Sequence, residues 1–333
     1  MIKYLGSKRV LLPALVETVQ ALPEVRTFFD VFSGTARVGH AMKDAGFEVR
    51  ANDHNAYAHT LAQCYVGADR DELAAEAERL LAELSTVPPK PGYVTATFCE
   101  QARFFHPKNG ARIDAIRDRI EALDLPPALR AVVLVSLMEA ADRVDSTTGV
   151  QMAYLKQWAR RAHNDLELRL PRLLPGPGHA HQLEAVDAVK AHEADVVYLD
   201  PPYNQHSYLG NYHVWETLVR WDAPEAYGVA QKRIDCKTRR SPFNSKRKFR
   251  EAMEALVGAV QARWLLVSFN NEGYISRDEM IELLETRGPV EVRGISHPRY
   301  VGAKIGIYNL QGEKVGRVGH LQNVEYLFQV RCT

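Results

Sequence analysis

The chain has 333 residues, 46% apolar and 25% charged, enough for one large or two ordinary domains whose core needs neither disulfides nor a structural metal. A formal charge of +1 excludes a globally basic nucleic-acid coat, so any such surface must be a local patch. The four cysteines, Cys64, Cys99, Cys236 and Cys332, form no Cys-x-x-Cys pair; no stretch reaches the ~18 apolar residues of a membrane span, the first residues lack a signal-peptide pattern, and the expected compartment is the cytoplasm.

In chain order, Ser7 is placed to cap a helix running to about Gln20. Residues 27–32 form a short apolar run of strand type. A turn with Gly34 follows, then a helix that Gly46 stops. Residues 48–52 read as a second strand and 56–65 as a second helix. This β-α-β-α order favours a parallel sheet. The middle of the chain reads as all helix: 71–84, then 111–123, 126–141 and 149–168, after a three-proline linker at 86–93 and before a Pro/Gly cluster at 171–178. Strands return at 195–199 and 264–269, with helices at 249–263 and 277–287. Two alternating runs, 290–295 and 324–330, could pair as an antiparallel hairpin. The expected organisation is a Rossmann-like α/β domain, residues 1–66 and 179–333, with a helical insertion, 67–178.

The chemistry concentrates in Asp200-Pro201-Pro202-Tyr203, directly after the strand 195–199. Ligands of open α/β sheets sit beyond the carboxyl ends of strands. Two prolines fix φ and remove two donors, leaving a stiff lip with one carboxylate, bare carbonyls and one ring. Such a lip suits an aryl amine such as adenine N6, whose lone pair is delocalised and weakly nucleophilic. Asp200 and the Pro201 carbonyl can hold both amine hydrogens. The Asp200 charge can stabilise positive charge growing on the nitrogen, and Tyr203 can stack on the base. As a bare pattern the tetrapeptide also reads as a strand-ending turn. Asp30-Val31-Phe32-Ser33-Gly34-Thr35-Ala36 lies at a strand-to-helix turn, where glycine lets a ligand approach the backbone. Asp53 ends the next strand; its position fits a ribose ligand and a helix N-cap equally well.

On these motifs the chain resembles the Dam-like DNA adenine methylases, over nearly its whole length. Lys3-Tyr4-Leu5-Gly6-Ser7-Lys8 is similar to their N-terminal motif, Phe32-Ser33-Gly34-Thr35 to their cofactor loop, Asn52-Asp53 to their ribose-binding motif, and residues 200–203 to their catalytic tetrapeptide. The resemblance implies S-adenosylmethionine as methyl donor and N6 of a flipped adenine in duplex DNA as acceptor, without a metal. It implies that Tyr4, Lys8, Asp30, Phe32, Gly34, Thr35, Asp53 and Asp187 surround the cofactor and that the helical block recognises the target. Ala36 stands where the family carries a second glycine, which a positive φ would strain. The related glutamine methyltransferases typically begin their tetrapeptide with Asn, so Asp200 favours adenine. A cognate restriction enzyme is an expected partner.

For DNA, residues 232–250 supply Lys237, Arg239, Arg240, Lys246, Arg247 and Lys248, a basic loop beside the tetrapeptide. His206, Tyr208, Asn211, Tyr212, His213 and Trp215 either line the pocket or fill core, with Trp215 read as core. Arg143, Lys156, Arg160 and Arg161, and the segment with His297, Arg299, Tyr300 and Lys304, are further candidates. Two alternatives stand beside this reading: an RNA adenine methyltransferase, and a DNA-binding protein that keeps the fold without catalysis.

Overall fold

The computed structural model describes residues 1–6, 8–205, 207–298, 307–308, 314–316 and 322–333. The proposed cap Ser7, and His206, Arg299, Tyr300 and Lys304, lie outside the described residues. A seven-stranded sheet organises the chain. Its strands are β1 (Thr27–Asp30), β2 (Glu48–Asn52), β3 (Gly178–His181), β4 (Ala194–Leu199), β5 (Ala262–Asn270), β6 (Val290–Pro298) and β7 (Gln322–Arg331), in the spatial order β3-β2-β1-β4-β5-β7-β6. Strands β3, β2, β1, β4 and β5 pair in parallel; β7 runs antiparallel to both β5 and β6. The expected terminal antiparallel pair therefore forms, with Val330 opposite Val290.

Side-chain alternation divides the core between the two faces of the sheet. Phe29, Val31, Val197, Leu199, Leu265 and Val267 face helices α7 (Ala185–Ala191), α10 (Phe249–Ala259) and α11 (Arg277–Glu285). Phe28, Val196, Tyr198 and Leu266 point the other way, toward α1 (Leu12–Ala21), α2 (Arg37–Asp44), α3 (Ala56–Ala62) and α9 (His213–Arg220), which the short α8 (Tyr208–Asn211) precedes. Helices α4 (Arg70–Ser85), α5 (Pro107–Ala122) and α6 (Pro127–Arg143) join this second cluster without a break. In α6, consecutive residues Ala131 to Met138 are all buried, so this helix is wrapped by protein on every side. The helical block thus shares one core with the sheet.

Three expectations change. The helix over 149–168 does not form; the structure holds only a short 3-10 turn, Arg160–His163. Local helical bonds lose there to distant ones: the Gln151 amide donates to the Asn211 carbonyl, and the Leu155 amide to that of Ser146. Gly178, placed in the insertion, instead starts β3, an edge strand the sequence pattern did not show. Its four residues have no apolar alternation, and a Cβ at Gly178 would sit 2.3 Å from the Val66 carbonyl oxygen, so only glycine fits. The first helix begins at Leu12, after a 3-10 turn Lys8–Val10.

Candidate active site

Neighbouring strands end in polar residues on one edge of the sheet. Asp30 ends β1, Asn52 ends β2 with Asp53 beyond it, and Asp200 follows β4. Strand order reverses between β1 and β4, and such switch points are where open sheets bind ligands. A cavity of about 1020 Å³, part of it open to solvent, lies there, lined by Tyr4, Lys8, Asp30, Phe32, Gly34, Thr35, Asp53 and Asp200. The three motifs singled out in sequence meet in one place.

Local structure explains each position. The Gly34 amide donates to Asp53 Oδ2 at 3.1 Å, and the Asn55 amide to Oδ1 at 2.9 Å, so Asp53 ties the glycine turn to the start of α3. Gly34 has φ +52, and a Cβ there would meet the Tyr4 hydroxyl at 3.3 Å. Ala36 is buried with φ +58, so the strain expected of a left-handed alanine is present. Asn52 donates to the Val31 and Leu183 carbonyls, both at 3.1 Å, and accepts from the Leu183 amide at 3.0 Å. It clamps two walls together. Tyr4 stacks on Tyr212 at 4.4 Å and on Tyr208 at 5.2 Å, and bonds the Tyr57 hydroxyl at 3.2 Å. The Leu5 amide donates to the Tyr212 hydroxyl at 2.6 Å, which fixes the N-terminal segment over the cavity.

Asp200 sits in a polar clamp. Lys8 Nζ lies 2.9 Å from Oδ1 and also pairs with Glu325. The Ser268 hydroxyl donates to the same Oδ1 at 3.0 Å, and Ser268 in turn bonds the Tyr198 hydroxyl at 2.7 Å. Burial opposes the Lys8 charge, yet Asp200 and Glu325 hold its pKa well above the ordinary value. Burial raises the Asp200 carboxyl above the usual range, while Lys8 and Ser268 pull it back. Asp30 is pushed up to about 8 by burial, with Asp200 adding to the rise. Its Oδ1, the Ser33 hydroxyl and Asn55 Oδ1 have no hydrogen-bond partner among the described residues. A buried polar atom without a partner is costly. Asp30, Ser33 and Asn55 all line the cavity, so a ligand carrying an ammonium and hydroxyls fits it.

Some expected site residues are not at the cavity. Asp187 is exposed on the first turn of α7, because Ala185, Ala188 and Val189 take the buried face of that helix; Leu183, Glu184 and Ala185 form the wall instead. Of the tetrapeptide, Asp200 and Pro202 line the cavity; Pro201 is buried. Tyr203 is set back with its ring edge-on to Phe269 and its hydroxyl accepting from Asn270 Nδ2 at 2.9 Å. His213 is fully buried, its pKa lowered by burial to about 3, and Asn211 and Trp215 are buried as well. These are core. Arg239 lines the cavity but is held at 2.9 Å by the fully buried Glu216, whose other oxygen accepts from the Tyr57 amide at 3.0 Å. Its charge is spent internally rather than on a free basic face. Lys237, Arg240, Lys246, Arg247 and Lys248 are exposed. Arg161 pairs with Asp145 at 2.7 Å, and Arg143 donates to the Glu167 carbonyl. Sequence reasoning missed Asn55, Ser268 and Glu325 as working parts, and named Asn52 only as part of a motif, not as the clamp between two walls. Alternation along 324–330 puts Glu325 in its polar phase, so nothing in the pattern marked this glutamate as buried.

A Rossmann-like sheet with a glycine turn and an acidic lip around one switch-point cavity fits the class of S-adenosylmethionine-dependent methyltransferases, and the family match makes it one that acts on an amino group. Residues 4–270 match the family model of D12 class N6 adenine-specific DNA methyltransferases, and the chain belongs to that family. It is 30% identical over 290 residues to the type II methyltransferase M.NlaIII of Neisseria lactamica, with 84% of this chain and 85% of that protein covered. It is 28% identical over 319 residues to the modification methylase StsI of Streptococcus sanguinis, covering 90% of this chain but only 48% of that protein, so the chain spans about half its length. It is also 26% identical to the type II methyltransferase M.CviAII of Paramecium bursaria Chlorella virus 1, with 90% of this chain and 92% of that protein covered. The protein is an adenine-specific DNA methyltransferase that takes its methyl group from S-adenosylmethionine. No described helix is long and apolar enough to cross a membrane.

Proposed function

We propose that Asp200 is the residue that holds the exocyclic amine of an extruded adenine against the methyl donor. The observation that carries this is that Asp200, Gly34 and Asp53 line the same cavity. Oδ1 of Asp200 is engaged by Lys8 and Ser268, which orients the carboxylate and leaves Oδ2 for the N6 hydrogen. The Pro201 ring packs inward, and the carbonyl of this residue is the acceptor assigned to the second hydrogen. Bound S-adenosylmethionine supplies an already activated methyl group, so positioning and charge supply most of the acceleration. Asp30, Ser33, Gly34 and Asp53 would hold that cofactor, with Phe32 on one wall. Tyr203, tethered by Asn270, offers its ring to the base. The adenine must leave the duplex stack to reach this depth. Lys246, Arg247 and Lys248 are the phosphate-contacting face, and contacts of this kind set position rather than sequence. The helical block, residues 67–178, is the target-recognition region, and the protein works in the cytoplasm beside a cognate restriction enzyme.

Labelled S-adenosylmethionine with mixed-sequence duplex DNA, and separately with RNA, tests the reading. Label recovered as N6-methyldeoxyadenosine, and lost with Asp200→Ala, is the expected result. Label only in RNA, or full labelling by the variant, contradicts it.

A further inference from the structure

Beside the cavity stands a small ribbon that the roles above leave unused. Strands Ala226–Tyr227 and Lys232–Arg233 pair antiparallel, with Ala226 opposite Arg233 and Tyr227 opposite Lys232. The turn between them is closed by the Gln231 amide donating to the Gly228 carbonyl at 3.0 Å. Within that turn the two apolar residues part company. Ala230 packs on the core, while Val229 is 80% exposed, more than any other large apolar residue described. Turn tips normally carry Gly, Asn, Asp, Pro or Ser.

The root of the ribbon is rigid. Arg233 is almost fully buried and grips Asp222 through both terminal nitrogens, at 2.7 and 2.8 Å, and Asp235 at 3.1 Å. A fork of this kind orders its segment. The root also touches the cavity rim. Lys232 Nζ lies 3.9 Å from where a Cβ on Gly210 would sit, next to Tyr208 and Leu209 of the cavity lining, and Arg239 leads the chain from the ribbon back into the wall. Cations flank the ribbon on the solvent side: Lys237, exposed, lies 4.4 Å from the Tyr227 ring centroid, and Arg240 is exposed beside it.

We propose that residues 226–233 form a groove-reading element. The ribbon enters the groove of the duplex next to the extruded adenine, Val229 meets base edges there, and Lys237 and Arg240 take the flanking phosphates. A two-stranded ribbon is of a size that B-DNA's major groove admits, and an apolar tip can contact thymine methyl groups. The assignment rests on the duplex-DNA reading and deepens it, placing sequence preference partly outside the helical block.

The test uses the full chain and a random-sequence duplex library, with methylated adenines mapped by sequencing. Val229→Asp should raise the KM for DNA at least tenfold, with kcat at saturating DNA and S-adenosylmethionine affinity within about twofold of wild type. Val229→Ala, which adds no charge, should change the base preferred at one position of the mapped site. Lys237→Ala and Arg240→Ala should each lower the salt dependence of DNA binding by about one unit of log–log slope. Unchanged DNA KM in Val229→Asp together with an unchanged map in Val229→Ala overturns the proposal. A wild-type protein that methylates no DNA defeats the underlying reading instead, and the two failures are thereby distinguished.

Discussion

Ser268 is the residue whose effect on chemistry is easiest to isolate. It donates to Asp200 at 3.0 Å, bonds the Tyr198 hydroxyl at 2.7 Å and does not itself line the cavity, so it positions and does not react. A hydrogen bond to the ionised form lowers a carboxyl pKa. Removing it lets burial raise Asp200 further. The pH profile of kcat/KM should therefore keep its shape in Ser268→Ala while its acid limb moves up by about one pH unit, since the net worth of a charge-assisted bond is about 1.5–3 kcal/mol. An acid limb that stays in place removes Ser268 from the clamp. Gly34 and Ala36 give a second residue-scale contrast. Gly34→Ala drives a Cβ toward the Tyr4 hydroxyl at a positive φ, so cofactor affinity should drop by tenfold or more in calorimetric titration. At Ala36, relief of about 1–2 kcal/mol of left-handed strain opposes the ~0.5–1 kcal/mol that glycine loses in chain entropy. Ala36→Gly should be neutral or slightly stabilising in a thermal melt, whereas Ala41→Gly in α2 should cost ~1 kcal/mol.

At the scale of elements, loops carry the site and the sheet only aims them. The basic segment after the ribbon is anchored by Arg239 on Glu216, which ties it to α9 and, through Tyr57, to α3. Glu216→Ala would leave Arg239 facing an empty buried site, and Tyr57 would lose its amide partner; a drop in melting temperature is expected. Reversing Lys246, Arg247 and Lys248 to glutamate should instead leave the melt alone, raise the KM for DNA and flatten its salt dependence. This division shows what was legible beforehand. Strands β1, β2, β4 and β5 and the lip at 200–203 could be read because apolar runs and prolines are local signals. The edge strand Gly178–His181 could not, because pairing with β2 makes it a strand, while the Val66 carbonyl only requires glycine at its first position. Arg239 looked like its basic neighbours in sequence; only the fold brings Glu216 to it from 23 residues away. Asp187 does not line the cavity for a similar reason, as the register of α7 turns it outward.

Over the whole molecule, three carboxylates, Asp30, Asp53 and Asp200, share one buried cavity, and burial raises all three. For Asp30 the folded pKa of about 8 lies above its ordinary value of 3.8. The native state then holds a proton that the unfolded chain has released, so stability falls as pH rises between those values and is lost through about 8. The melting temperature of the protein without cofactor should decline from pH 5 to pH 9 (roughly the span that linkage covers), and Asp30→Asn should flatten that decline. A cation placed beside Asp30 favours its ionised form. Binding of S-adenosylmethionine near pH 7 should release a proton, visible as a buffer-dependent heat in calorimetry and absent in Asp30→Asn.

Single-turnover methyl transfer by Asp200→Ala, on a duplex containing the mapped target adenine, addresses the clamp on N6 most directly. The rate of the chemical step should fall by about 10³-fold or more, as for loss of a group that stabilises developing charge, with cofactor and DNA affinities changed only a few-fold. A rate near that of the wild type, or a loss wholly accounted for by failed cofactor binding, would contradict the role given to Asp200.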